Sequence, residues 1–268
     1  MTMLDTFPPT RQAALARVSD LRPSDCARSR NALEGAVTGL SPYITHGLIS
    51  LPEVLDGVTA KHPLDMQHKF VFELGWREYF RHVWAFRGEE IFESLREGLL
   101  PQTSYSALMP ADIREPPSDL GWSQPDSAAV AGREVWLVHP WNLGDLPTTL
   151  PANTVVVGVF VNDFHRAWPW SERRWRFVAS RMAQLTALRW QGDATVIGAA
   201  LHGATRVRSV DEPHLAPWLA SLAVCEAAVE LFPAVDRRCD SFSQWWTRAS
   251  RSFATASDLL AARQMPAW

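Results

Sequence analysis

The side chains best suited to chemistry lie in one ten-residue stretch, Glu73-Leu-Gly-Trp-Arg-Glu-Tyr-Phe-Arg-His82. Glu78 precedes His82 by one helical turn and lies beside Trp76. A carboxylate, an imidazole and a large aromatic side chain would therefore share one edge of a helix. The alternative is an amphipathic helix whose i,i+4 ion pairs face water, and periodicity alone favours that alternative.

The helix that must position these side chains is predicted over Asp65 to Phe86, with Asp65 as its N-cap. One face is apolar and another is charged, as in a helix that packs on one side. The apolar face consists of Phe72, Trp76, Tyr79 and Val83, and the charged face of Glu73, Arg77 and Arg81. We therefore predict one continuous helix that is packed through its apolar face.

A second stretch with functional side chains lies upstream, where Gly35 to Ser41 forms a predicted turn into a helix. Thr38 and Ser41 can cap the N–H groups of that helix or help those groups to hold a phosphate. Capping alone is the simpler interpretation. Ser50 and Glu53 then have the spacing of a capping box at the start of a further helix.

Both stretches resemble signature segments of the photolyase/cryptochrome family. The pattern Glu-Leu-x-Trp-Arg-Glu that begins at Glu73 is similar to the family's signature helix. The segment Ser41-Pro-Tyr-Ile-Thr-His-Gly-Leu-Ile-Ser50, with Thr38 and Leu40 before it, is similar to a flavin-binding segment of the family. The two motifs occur in the family's order and spacing, and the match covers roughly Phe7 to Arg114.

The resemblance implies an FAD cofactor and damaged DNA as a partner. The cofactor-binding residues that it implies are Arg30, Thr38, Leu40 and Ser41. The residues that it implies at a DNA lesion, in the role of catalytic residues, are Trp76 and Glu78.

The chain departs from the family pattern in two respects. Cys26 stands where the family often has a tyrosine four residues before an arginine, here Arg30, and this removes a phenolic hydrogen-bond donor. The family's Thr-Gly-x-Pro-x-x-Asp and Gly-x-x-His-Asn-x-x-Arg segments, which the resemblance implies for the rest of the flavin pocket, are absent. FAD binding is therefore expected to be weak or lost.

The pattern of the chain changes after Pro110 to Asp126, a stretch rich in proline that cannot hold a regular element for long. Beyond it, short apolar strands alternate with helices, as in a parallel sheet with helices on its faces. We predict an N-terminal all-helical array over residues 1–115, a linker over 116–132 and a Rossmann-like parallel α/β domain over 133–268. The predicted fold class is thus all-α followed by α/β.

The predicted strands of the second domain are Val135–Val138, Thr154–Val161, Ala187–Trp190, Arg206–Val210 and Ala228–Leu231. Asp145 and Asp193 are expected at or just beyond strand ends. This half resembles the antenna-type α/β domain of the same family, which normally comes first, so its order in the chain is permuted. Trp136, Leu143, Asp145 and Pro147 carry that part of the resemblance.

Composition sets further bounds on the class of protein. With 268 residues, of which 47% are hydrophobic, the chain can form one large core or two ordinary ones. A net charge of −3, with only two lysines, gives no general attraction to nucleic acid. Three distant cysteines favour a reducing compartment, and neither a membrane span nor an export signal is found, so a cytoplasmic protein is expected. The oligomeric state stays open.

Other chemistries have less support. Dinucleotide, P-loop, serine-hydrolase and metal-site patterns are absent, and His139 at a predicted strand end is more typical of a structural imidazole. Two basic clusters can contact a nucleic-acid backbone. One consists of Arg173, Arg174, Arg176 and Arg181, and the other of Arg237, Arg238, Arg248 and Arg251 with Trp245 and Trp246 interleaved. A solvated face balanced by nearby acidic residues is the favoured interpretation of both.

The sequence therefore leads to two hypotheses. In the first, the protein is a flavoprotein of the light-driven DNA-repair or blue-light-sensing lineage, impaired by the loss of half its flavin pocket. In the second, it is a non-catalytic scaffold, or a relative that binds nucleic acid or another partner without flavin.

Overall fold

The structure is a computed structural model that describes residues 6–88, 90–93, 113–114 and 116–264. In chain order the helices are α1 (Arg11–Asp20), α2 (Pro23–Ser29), α3 (Ser41–Thr45), α4 (Leu51–Thr59), α5 (Lys69–Arg87), α6 (Glu90–Glu93), α7 (Asn162–Ala167), α8 (Glu172–Leu185), α9 (Ala194–Leu201), α10 (Ala216–Leu222), α11 (Phe242–Ala249) and α12 (Ala256–Gln264). The strands are β1 (Ile113–Arg114), β2 (Glu134–Val138), β3 (Val155–Val161), β4 (Trp170–Ser171), β5 (Arg189–Gly192), β6 (Arg206–Val210) and β7 (Val224–Glu226).

The described chain forms two compact units, each with its own core. The α/β unit comprises residues 6–10, 45–48, 113–114 and 116–228, and the helical unit comprises residues 11–44, 49–88, 90–93 and 229–264. This division differs from the predicted one, in which residues 133–268 form a single domain. The reason is that the chain returns to the helical unit at residue 229, where the backbone N–H groups of Leu231 and Phe232 donate to the Glu78 carboxylate.

The segment predicted as a linker, residues 116–132, packs along the α/β unit. The Ser123 backbone N–H donates to the Arg189 carbonyl oxygen at 2.9 Å, and the Gln191 N–H donates to the Ser123 carbonyl oxygen at 3.0 Å. Prolines in this segment limit regular secondary structure, yet its backbone is still paired with a strand.

The five-stranded sheet of the α/β unit is parallel, as predicted, with the strand order β5-β3-β2-β6-β7, and β1 and β4 of the same unit form a separate antiparallel pair. Parallel strands need crossover connections, and α8, α9 and α10 supply helices between successive strands. Strand β3 is buried along nearly its whole length, which explains its unbroken apolar sequence. The last predicted strand, Ala228–Leu231, is wrong, because strand β7 lies earlier, at Val224–Glu226. The Leu231 N–H donates to the Glu78 carboxylate and not to a neighbouring strand.

Helix α5 is the longest helix of the described chain, and it begins at Lys69 rather than at Asp65. His68 is its N-cap and accepts a hydrogen bond from the Phe70 N–H at 3.2 Å, while Asp65 forms an antiparallel bridge with Thr255. The predicted apolar face is only partly correct, because Tyr79 is buried whereas Trp76 is 39% exposed. The buried residues of the helix are Phe70, Val71, Leu74, Gly75, Glu78 and Tyr79.

Helix α4 begins as predicted, with a complete capping box. The Glu53 N–H donates to the Ser50 hydroxyl at 3.4 Å, and the Ser50 N–H donates to the Glu53 carboxylate at 2.8 Å. Two N–H groups at the start of the helix are thereby satisfied by side chains.

Candidate functional site

A pocket of about 320 Å³ lies in the helical unit between α5, α2 and the turn that leads into α3. Helix α5 contributes Phe70, Glu73, Leu74 and Arg77, which recur at the three- and four-residue spacing of one helical face. The opposite wall includes Cys26, Arg30, Thr38, Leu40, Ser41 and Ile44. We call this the α5 pocket. It brings together all four residues that the family resemblance implies for cofactor binding.

The segment before α3 and the first residue of that helix place two hydroxyl groups at the α5 pocket. Gly39 has a φ of +61°, a left-handed conformation that favours glycine. The Leu40 side chain is buried and anchors the segment, and the Leu40 N–H donates to the Thr38 hydroxyl at 3.3 Å. From the facing helix, Arg77 donates to the Ser41 hydroxyl at 2.7 Å. The Arg77 guanidinium is thus joined across the pocket to one of the two hydroxyls.

The charged groups of the α5 pocket are Arg30, Glu73 and Arg77. Arg30 forms an ion pair with Glu73, and the Arg30 Nε is buried and has no hydrogen-bond partner within the part of the chain that the structure describes. Burial lowers the pKa of Arg77, which the nearby Glu73 carboxylate partly offsets, and partial burial strengthens the hydrogen bonds that a guanidinium makes. The three side chains together carry a net charge of about +1, which suits an anion.

Cys26 lines the α5 pocket, at the position where the family resemblance implies a tyrosine phenol. Burial raises the pKa of the Cys26 thiol, and the Arg30 charge opposes that change. The thiol is therefore protonated near neutral pH and is at most a weak hydrogen-bond donor. Arg77, which the sequence motif placed only on a charged helix face, supplies a stronger donor at the same pocket.

These groups fit the phosphate part of a flavin nucleotide. The lining supplies two guanidiniums and two hydroxyls, and the Nε of one guanidinium, that of Arg30, has no partner among the described residues; phosphate oxygens bind to such donors. The lining also includes Leu40, Ile44, Phe70 and Leu74, which suit a planar, largely apolar ring. This one set of donors matches one end of FAD.

The two residues predicted to meet a DNA lesion lie outside the α5 pocket. Glu78 is 6% exposed and accepts hydrogen bonds from the backbone N–H groups of Leu231 and Phe232, the latter at 2.8 Å. Burial raises the pKa of Glu78 to about 7, and the two N–H groups oppose that increase. Trp76 stacks on Phe242 with ring centroids 4.1 Å apart and 9° between planes.

The edge predicted to join Trp76, Glu78 and His82 is not formed as a ligand site. His82 accepts a hydrogen bond from the Cys239 N–H at 3.2 Å, and burial lowers its pKa. Glu78 and His82 therefore both stabilise the backbone of the C-terminal segment. The residues that sequence reasoning undervalued are Glu73 and Arg77, and the signal was their four-residue spacing beside Phe70 and Leu74.

His139 and the two basic clusters have mainly structural contacts. His139 is fully buried, with its Nε2 2.9 Å from the Val210 carbonyl oxygen and its Nδ1 accepting from the Trp141 N–H at 3.2 Å. In the first cluster, Arg181 is buried and donates to the Leu143 carbonyl oxygen, and Arg174 packs over the Trp170 ring at 3.9 Å. Burial lowers the pKa of Arg174 to about 10.

The second cluster does not present its tryptophans for stacking on bases. Trp245 and Trp246 are both buried, and the Trp246 ring lies 4.5 Å from that of Phe72 between centroids. Arg238 is paired with Asp240 at 2.8 Å. The interleaved tryptophans are therefore core residues of the helical unit rather than a nucleic-acid platform.

No protein-family model matches the chain, and no curated protein or solved structure gives a significant match. Within the described ranges, no group of three or more histidine, cysteine, aspartate or glutamate side chains is placed to hold a metal ion. None of the helices in those ranges has both the length and the apolar composition needed to span a membrane.

Proposed function

We propose that the protein is a flavoprotein related to the photolyase/cryptochrome lineage and that it binds a phosphorylated flavin in the α5 pocket. The observation that carries the proposal is the convergence of Arg30, Thr38, Leu40 and Ser41 on one pocket. These residues lie up to eleven positions apart in the sequence and were implied by motif resemblance alone. On this proposal the helical unit is a partial FAD-binding-type domain, and the α/β unit is antenna-like in permuted order.

Different residues of the pocket would bind the phosphate and the ring system of the flavin. Arg77, Thr38 and Ser41 would bind the phosphate oxygens, and Arg30, which is paired with Glu73, would contribute its buried Nε. Leu40 and the apolar residues of α5 would exclude water from one face of the ring system. When bound, the flavin supplies light-absorbing, one-electron chemistry. We also propose that the protein is cytoplasmic.

A second candidate function is a non-catalytic relative in which repair chemistry has been lost. The position of Glu78 favours it over an active DNA-repair enzyme. A carboxylate engaged with two backbone N–H groups in a core is not placed to contact damaged DNA. Flavin can therefore bind to this chain without repair of DNA, and flavin binding is the function proposed.

The experiment is a titration of the purified protein with FMN and FAD, followed by flavin fluorescence and absorption. Arg77→Ala should weaken binding of either flavin roughly 10- to 100-fold, the loss expected for a charge-assisted hydrogen bond. Arg87→Ala is the matched control, because Arg87 lies on the same helix and pairs with Asp240 at 3.4 Å, away from the pocket.

Unchanged affinity in Arg77→Ala, or equal losses in both arginine variants, would contradict the assignment of this pocket. A thermal melt of each variant separates loss of binding from loss of folding. A wild-type protein that binds neither flavin favours the non-catalytic, flavin-free candidate.

A further inference from the structure

We infer that the α5 pocket recognises a single mononucleotide unit, so that FMN is bound as tightly as FAD. This inference rests on the proposed function and makes its ligand more specific. The volume of about 320 Å³ is at the lower end of the range of roughly 300–1,000 Å³ found for small-molecule sites. It offers room for one phosphate with one ring system rather than for a dinucleotide.

The charges of the pocket also favour a ligand with a single phosphate group. It holds two guanidiniums and one carboxylate, and that carboxylate, Glu73, is paired with Arg30. One arginine is therefore largely neutralised before a ligand arrives. Arg77 with the two hydroxyls of Thr38 and Ser41 can satisfy one phosphate group. A second phosphate would need donors of its own, and a phosphate close to Glu73 would be repelled.

A second cleft of the helical unit is poorly suited to the other half of a dinucleotide. It is lined by Asp20 and Asp25 as well as Arg22 and His62, and it shares no lining residue with the α5 pocket. Carboxylates at that cleft disfavour the adenylyl phosphate of FAD. The second half of a bound dinucleotide would therefore remain in solvent and add little to the affinity.

The test compares four probes on the wild-type protein by fluorescence titration and competition: FMN, FAD, riboflavin and AMP. We expect the dissociation constants of FMN and FAD to agree within about threefold, because the adenylyl half gains no contacts. Riboflavin, which lacks the phosphate, should bind at least about tenfold more weakly than FMN. Arg77→Ala should reduce the affinities for FMN and FAD by the same factor.

FAD binding more than about tenfold tighter than FMN would overturn the inference while leaving the proposed function intact, since the second half would then make contacts of its own. AMP that displaces FMN with equal affinity would overturn the assignment of a flavin ring to the apolar wall. Failure of all three flavins to bind would overturn the proposed function itself, and with it the inference.

Discussion

At the scale of single residues, two glutamates of one helix show how surroundings decide the role of a carboxylate. Glu73 and Glu78 both belong to α5, yet Glu73 lines a pocket in an ion pair with Arg30, and Glu78 is buried against backbone N–H groups. The sequence places both glutamates on one helix, but it does not reveal the groups that they contact. The partners of Glu78 lie more than 150 positions away in the sequence, so no local pattern could reveal them.

Glu78 should make the stability of the protein depend on pH. Its folded-state pKa of about 7 lies above the ordinary value of 4.5, so the folded state binds the proton more tightly than the unfolded state. The resulting stabilisation is complete below about pH 4.5 and is lost as the pH rises through 7, with a magnitude of up to about 3 kcal/mol. Glu78→Gln should remove this component.

The measurement is the free energy of unfolding by urea between pH 4.5 and 8 for the wild type and for Glu78→Gln. The difference between the two pH profiles isolates Glu78 from the other titrating groups. Parallel profiles would show that this carboxylate does not change its proton affinity on folding.

At the scale of elements, α5 shows why a periodic pattern can find a helix and still miss its buried face. The predicted and observed helices overlap over most of their length, because the pattern of apolar residues is strong. The buried stripe, however, includes Gly75 and Glu78, which a hydrophobic pattern does not count as core residues. Strands β2 and β3 were more predictable, since their continuous apolar runs suit strands buried on both faces.

Replacement of Trp76 should cost less stability than replacement of the smaller Leu74. Trp76 is 39% exposed and Leu74 is 3% exposed. Leu74→Ala should lower the free energy of unfolding by about 3 kcal/mol, as in other cores. Trp76→Ala should cost about 1.5 kcal/mol, mainly through its stacking on Phe242. Urea denaturation of both variants gives the comparison, and an equal or larger cost for Trp76→Ala would contradict the observed face of α5.

Gly75 should resist substitution although alanine is the better helix former. A Cβ at this position would lie 2.6 Å from Cζ3 of Trp246, so the ring must shift. We expect Gly75→Ala to be net destabilising by about 1 kcal/mol, because overpacking costs of roughly 1–3 kcal/mol exceed the gain in helix propensity.

The control for Gly75 is Gly198→Ala in α9, where the nearest atom lies at an ordinary 3.4 Å. There the propensity gain of up to about 1 kcal/mol should be kept. Urea or thermal unfolding of the two variants measures both effects. Stabilisation by Gly75→Ala would mean that α5 and α11 are not in close contact.

At the scale of the whole molecule, a change in sequence pattern revealed an α/β unit but neither its start, which precedes residue 133, nor the return of the chain to the helical unit. Short apolar strands that alternate with helices predict a parallel sheet from neighbouring residues alone. The membership of residues 229–264 depends on contacts with α5, such as those of Phe242 and Trp246 with Phe72, which are long-range in the sequence. The helix that begins at Ser41 was predictable from its motif, whereas the hydrogen bond from Arg77 to Ser41 required the fold.

The molecule is not expected to repair pyrimidine dimers. Repair requires a reduced flavin held firmly against the lesion, and positioning accounts for a large part of such rate enhancements. The α5 pocket offers one set of phosphate donors, and Glu78 is buried elsewhere. With added reduced flavin, dimer-containing DNA and light, the number of dimers should match that of a protein-free control. A light-dependent loss of dimers that requires the protein would contradict this prediction.

The most direct measurement is a crystal structure of the protein grown with saturating FMN. We predict electron density for the phosphate group between the Arg77 guanidinium and the Ser41 hydroxyl, with the ring system against Leu40 and Phe70. Flavin density at another site, or an α5 pocket without flavin density at a ligand concentration that saturates binding in solution, would contradict the proposed site.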